Sequence, residues 1–151
     1  MVDKEWPSRS YLFDSLLDEL SFKRMLALER KRADRSRRSF ALVTLDATPL
    51  KKEDSRLDPV LADMAFSALS SCLRETDVIG WHTNDSVFGV LLTEFGSYSL
   101  ESVVDKIRQK IENELRAVFD NEIFTKKKLD IHIYPASNRE MTRESFNRVF
   151  Y

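Results

Sequence analysis

Apolar residues recur along this chain with two periods, one helical and one alternating. Between residues 10 and 38, Leu12, Phe13, Leu16, Leu17, Leu20, Met25, Leu26 and Leu28 return at spacings of about three and four. That spacing predicts one long N-terminal helix, with Ser10 as its cap. Ser39–Leu45 (SFALVTL) is nearly all apolar and predicts a buried strand ending at Asp46, with Thr48-Pro49 as the stop signal. Lys51–Asp58 is a charged loop. Pro59 suits the first turn of a helix reaching Leu73, with Leu61, Met64, Ala65, Ala68, Leu69 and Cys72 facing inward. Asp77–Trp81 and Val87–Leu92 then read as two strands around the turn residues Thr83, Asn84, Asp85 and Ser86. Thr93–Ser99 is a loop, and Leu100 to Phe119 carries a second amphipathic helical stripe. Leu129–Tyr134 (LDIHIY) alternates as a strand and stops at Pro135. Arg139–Tyr151 is compatible with a short terminal helix or an edge element.

The resulting order is helix, strand, helix, strand, hairpin turn, strand, helix, strand. It predicts an α+β fold with a central mixed, mainly antiparallel sheet and helices packed on it. This is the split βαβ plan of ferredoxin-like and nucleotidyl-cyclase palm domains. No repeat, low-complexity tract or linker divides the chain. Residues 1–151 therefore read as a single domain, with 10–38 as its long first helix.

Charge and composition narrow the function. Charged residues make up 32% of the chain, yet the net charge is only -1, which argues against a dedicated nucleic-acid partner. No apolar run approaches the ~18 residues of a membrane span, and the first residues lack the apolar core of a signal peptide. Cys72 is the one cysteine, which excludes an intrachain disulfide and a cysteine-based zinc cluster. A cytoplasmic protein is the expectation. The three glycines, Gly80, Gly89 and Gly96, form no phosphate-cradling loop of the dinucleotide or Walker type. The basic run Arg30, Lys31, Arg32, Arg35, Arg37 and Arg38 complements a helix C-terminus and reads as a solvated helix end, with anionic lipid or phosphate as the functional alternative. Trp81 and His82 stand beside the turn as exposed candidates, although packing suits a tryptophan better. His132 reads as a partly exposed strand residue.

Three short motifs occur in a fixed order. Asp46-Ala-Thr48-Pro-Leu50-Lys51 follows the first strand, Arg74-Glu-Thr-Asp77 leads into the hairpin, and Phe88-Gly89-Val90-Leu91-Leu92 forms its second strand. Over residues 12–135 this arrangement resembles the GGDEF (diguanylate cyclase) family. Its members carry Asp-x-Asp-x-Phe-Lys, then Arg-x-x-Asp, then a hairpin whose turn is Gly-Gly-(Asp/Glu)-Glu-Phe. The resemblance implies a cyclase-palm fold and a place in bacterial cyclic di-GMP signalling. Similar degenerate domains act as partners to other machinery, including exopolysaccharide biosynthesis.

The departures from that pattern bear on chemistry. Family members hold divalent metal with acids at the turn and at the first strand's end, because the metal must neutralise triphosphate charge and polarise the attacking hydroxyl. Here Thr48 replaces the second acid of the first motif. The turn His82-Thr83-Asn84-Asp85-Ser86-Val87 has no Gly-Gly and is one residue longer. Counted from Asp77, Asp85 takes the place of the variable acid and Ser86 that of the invariant Glu. Counted back from Phe88, Val87 stands at that Glu. The loop Lys52–Pro59 is also short of the family's guanine-recognising segment. The expectation is a domain with no cyclase activity and no catalytic residues. Asp46, Lys51, Asp85 and Ser86 would mark a vestigial nucleotide or metal site, and GTP with Mg²⁺ or Mn²⁺ is disfavoured as a cofactor set. Arg74 and Asp77 match the pair that binds cyclic di-GMP in family members. They are candidate ligand residues here, with a structural ion pair as the alternative. A protein partner or homodimer, formed through the leucine-rich first helix, is the competing function.

Overall fold

A computed structural model describes residues 16–93, 100–119, 128–135 and 142–151. Its elements are α1 (Glu19–Ser36), β1 (Phe40–Asp46), a 3-10 turn (Thr48–Leu50), α2 (Pro59–Ser71), β2 (Val78–Thr83), β3 (Val87–Leu92), α3 (Leu100–Val118), β4 (Leu129–Tyr134) and α4 (Arg143–Phe150). The strands form one sheet in the order β2-β3-β1-β4, with every neighbouring pair antiparallel. A single parallel bridge, Leu17 to Gly80, is added at the β2 edge.

β1 is nearly all apolar because both of its faces are covered. Ala41, Val43 and Leu45 join β2, β3 and β4 residues in a core closed by α2 and α3, through Ala65, Phe66, Leu69, Val104, Ile111 and Leu115. Phe40 and Leu42 face the opposite core, with Phe22, Leu26 and Ala33 of α1 and Phe150 of α4. A strand buried on two faces loses the polar alternation of a half-buried one. The terminal segment settles as the helix α4, whose Phe146 and Phe150 pack against Phe40 and Tyr134.

The first helix is shorter than the periodicity predicts. Residues 16–18 are not helical, and α1 starts after Asp18, whose carboxylate accepts the Ser21 amide at 2.8 Å. Ser10, the expected cap, lies outside the described residues. Leu17 contributes instead as an edge residue: its amide donates to the Ile79 carbonyl at 3.3 Å, and its carbonyl accepts from the Trp81 amide at 2.8 Å. Strand-like pairing of this segment with β2 displaces helix. The apolar stripe is correspondingly narrower, since Leu20 and Leu28 are exposed. The helix ends where Arg37 turns left-handed (φ 59°) and returns its amide to Ala33. α2 begins as expected, with the Asp58 carboxylate accepting from Val60 and Leu61 ahead of Pro59.

Two glycines set the approach of α1 to the sheet. Gly80 and Gly89 are cross-strand partners. A Cβ on Gly80 would lie 2.8 Å from Leu17 Cβ, and one on Gly89 would lie 2.6 Å from Phe22 Cζ. Both gaps are below carbon contact distance, so the absent side chains make the room that Leu17 and Phe22 fill.

Candidate functional site

The motifs singled out in the sequence fall at opposite ends of β1, roughly 20 Å apart at the usual strand rise. At the C-terminal end of β1, antiparallel pairing places Asp46 opposite Val87, beside the β2–β3 turn. The Ala47 amide donates to the Ser86 carbonyl at 2.7 Å, and Lys51 Nζ lies 3.3 Å from Ser86 Oγ. Asp46, Lys51 and Ser86 are therefore brought to the same end of the sheet. Asp85 sits at the exposed tip of the turn in a left-handed conformation (φ 59°). Ser86 N donates to Thr83 O at 3.0 Å to close the turn, and an aspartate tolerates the positive φ better than most residues.

The extra length in the turn is absorbed as a β-bulge. Trp81 pairs with Phe88 and Thr83 with Val87, which leaves His82 as the additional residue. Trp81 and His82 are not exposed: both are buried, Trp81 stacked on Phe88 at 4.4 Å and His82 against α1 and α4. His82 Nε2 lies 2.6 Å from the Val149 carbonyl, which assigns its proton to Nε2. Burial pushes the His82 imidazole below its ordinary value, against the Val149 bond that favours the charged form. His132 is shifted downward by burial as well.

The carboxylate of Asp46 is committed within the protein. Oδ1 accepts from the Thr48 amide at 2.9 Å and from the Thr48 hydroxyl at 2.6 Å, while Oδ2 faces Lys128 Nζ at 3.3 Å. Burial raises its pKa, but the two Thr48 bonds and Lys128 outweigh burial and hold the carboxyl below the usual range. Thr48 is thus a donor to Asp46, and an ammonium faces the other carboxylate oxygen. Sequence reasoning missed Lys128. The signal was the lysine run Lys126-Lys127-Lys128 just before β4, but placing it needed the β1–β4 register, in which Leu45 faces Leu129. Among the described residues, no group of three His, Cys, Asp or Glu is arranged to hold a metal ion.

The turn is also fastened to α1. The Glu19 amide donates to Asn84 Oδ1 at 2.9 Å, and the Asn84 amide donates to Glu19 Oε1 at 2.8 Å. This reciprocal pair satisfies an unpaired donor of the helix N-terminus and consumes a backbone donor of the turn.

At the other end of the sheet, Arg74 and Asp77 bind each other across the α2–β2 connection. Asp77 Oδ2 accepts the Arg74 amide at 2.9 Å and Oδ1 faces Arg74 Nη2 at 3.3 Å. The Asp77 side chain is 1% exposed, whereas the Arg74 side chain is 53% exposed. Arg74 Nη2 also donates to the Thr93 carbonyl at the end of β3. Asp77 is thus a buried clamp for its own connection, and the guanidinium is the accessible half of the pair.

No family model matches the chain, and no curated protein does. Solved structures do. The GGDEF domain of TpbB (YfiN) from Pseudomonas aeruginosa is similar at 22% identity over 80% of this chain and 77% of its own, with a TM-score of 0.58. A sensory box/GGDEF family protein from Caulobacter crescentus is 19% identical over 89% of this chain and 88% of its own, with a TM-score of 0.59. The diguanylate cyclase SiaD of P. aeruginosa, solved in complex with its activator SiaC, is 18% identical over 89% of this chain and 52% of its own, with a TM-score of 0.57. Together with the β2-β3-β1-β4 sheet and the position of Asp46 beside the hairpin, these likenesses assign this chain the GGDEF-type fold.

Proposed function

We propose that this is a catalytically silent GGDEF-like regulatory domain of bacterial signalling, which works in the cytoplasm by binding rather than by turnover. One observation carries the reading: Asp46, the acid at the metal-holding position, is already neutralised by Lys128 and bonded by Thr48. A divalent ion would have to displace an ammonium and find further oxygen ligands, and one engaged carboxylate is a poor start for Mg²⁺. The Glu19–Asn84 lock supports the same reading, because a turn amide used by a carboxylate is withdrawn from phosphate. The test is direct. The protein is incubated with GTP and Mg²⁺ or Mn²⁺, and cyclic di-GMP is sought by chromatography. None is expected to form, and steady production would refute the proposal. Protein contact is the corresponding mode of action, in keeping with SiaD, a relative in fold that is held by an activator protein.

A second reading has one specific support. Half of the Arg74 side chain is open to solvent, and a guanidinium can fork onto a phosphate or a guanine edge. Cyclic di-GMP would then be held by Arg74, with Asp77 fixing the arginine rather than touching ligand. Calorimetric titration with cyclic di-GMP tests this reading. It fails if no heat appears at high micromolar ligand, or if Arg74→Lys binds as well as the parent protein.

A further inference from the structure

We propose that the outer edge of β4 pairs, antiparallel, with the same edge of a second copy of this chain, so that two four-stranded sheets become one. Protein contact, the mode of action proposed above, thereby acquires a definite partner. The pairing rests on that reading and not on the absence of turnover.

The two edges of the sheet are treated differently. At β2, the Leu17 segment takes the outward groups: its amide donates to the Ile79 carbonyl, and its carbonyl accepts from the Trp81 amide. At β4, the ladder with β1 uses every second residue. The Ala47 amide donates to the Ser86 carbonyl, which sets the phase of the β1–β3 ladder: Leu45, Val43 and Ala41 turn their backbone groups to β3. Thr44, Leu42 and Phe40 therefore turn theirs to β4, where they meet Asp130, His132 and Tyr134. Leu129, Ile131 and Ile133 are left with amides and carbonyls directed away from the sheet. Among the described residues only Arg108 reaches this row, with Nη1 3.4 Å from the Leu129 carbonyl oxygen, which keeps a second lone pair. An open row of this kind is a template for another strand.

The strand is self-complementary in one register. A two-fold axis at Ile131 pairs Ile131 with its own copy and Leu129 with the partner's Ile133. All three carry outward backbone groups, as a hydrogen-bonded antiparallel ladder requires. On the face toward α2 and α3 this sets aliphatic against aliphatic, and Ile131 and Ile133 are only partly buried in the single copy. On the face toward α1 and α4 it sets Asp130 opposite the partner's His132, twice over, carboxylate to ring N–H. Asp130 is exposed, and His132 is half-buried with its ring T-shaped against Phe150. Moving the axis to Asp130 would oppose two carboxylates, which is unfavourable. Moving it to His132 would oppose the two imidazoles and turn Asp130 to the partner's Tyr134, whose hydroxyl already donates to Asp34. A strand of six residues makes a small interface, so the association is weak and concentration-dependent.

The test is sedimentation velocity of the full chain from roughly 10 to roughly 500 µM, with hydrogen exchange at both ends of that range. The parent is expected to dimerise, and the amides of Leu129, Ile131 and Ile133 to gain protection as it does. Asp130→Lys, at an exposed position, should weaken the dimer by about tenfold or more, since two cross-strand pairs turn from attractive to repulsive at once. Mixing Asp130→Lys with His132→Glu should restore it, because the mixed pair again opposes unlike groups at both positions. If His132→Glu fails to fold, Asp130→Lys still decides. A parent that stays monomeric at the highest concentration overturns the proposal, as does a dimer that Asp130→Lys leaves as tight as the parent's. A dimer abolished by Leu20→Glu/Leu28→Glu, on the exposed face of α1, but kept by Asp130→Lys would also overturn it and point to the first helix. None of these outcomes alters the catalytic reading, which the GTP incubation tests by itself.

Discussion

Replacing Asp77 by alanine separates a clamp from a free ligand residue. The parent carboxylate is 1% exposed and accepts the Arg74 amide at 2.9 Å and the Arg74 guanidinium at 3.3 Å. A hydrogen bond from a backbone amide to a buried charged acceptor contributes about 1.5–3 kcal/mol. The guanidinium contact is discounted, because Arg74 is half in water, and adds about 0–1 kcal/mol. Asp77→Ala should therefore lose about 2–3 kcal/mol. In a domain of this size that lowers the melting temperature by roughly 4–12 °C. Asp77→Asn keeps an oxygen for the Arg74 amide and should lose about half as much. Urea titration with parallel thermal melts measures both variants. If Asp77→Ala melts within a degree or so of the parent, the carboxylate is not a structural clamp and the account of this connection is wrong.

Three other outcomes follow from the packing and the titrations. Gly89→Ala pushes a methyl into Phe22, 2.6 Å from Cζ, and should cost about 1–3 kcal/mol in urea unfolding; an unchanged midpoint would mean that α1 is free to retreat. Phe150→Ala empties a fully buried position against Phe40, Tyr134 and Phe146, and should cost about 3–5 kcal/mol unless α4 is only loosely docked, which hydrogen exchange of α4 would reveal. His82 is held below its ordinary value of 6.5 by burial, so the unfolded chain takes up the proton first as pH falls. Its contribution is intact above about pH 6.5 and declines as the pH drops from there toward the folded value. His82→Gln, which can still donate to Val149, should shrink the fall in melting temperature between about pH 7.5 and about pH 5.5, with His132 keeping part of it. An undiminished fall would place the acid sensitivity elsewhere.

Local chemistry made much of the fold legible. Pro59 behind Asp58 marked a helix start, Asn84-Asp85-Ser86 marked a turn, and the nearly all-apolar run of β1 marked a buried strand. The start of α1 was not legible. Leucines at helical spacing cannot reveal that Leu17 will be taken by the β2 edge, since that pairing depends on a strand more than sixty residues away. The burial of Trp81 and His82 was hidden for the same reason: Trp81 joins the core under α2 and α3, and His82 meets Val149 of α4, both remote in the chain.

The site divides along the same line. By itself the sequence determined which groups exist: one acid at the end of β1, no second acid at Thr48, a turn without paired glycines, and the Arg74-x-x-Asp77 spacing. These are properties of residue identity and short spacing, which a chain carries before it folds. Only the tertiary structure decided what each group is free to do. The β1–β4 register brought Lys128 to Asp46, and burial turned Asp77 inward as a clamp. Such commitments are set by distances between segments remote in the chain, and a charge's chemistry depends on what lies within a few ångströms of it.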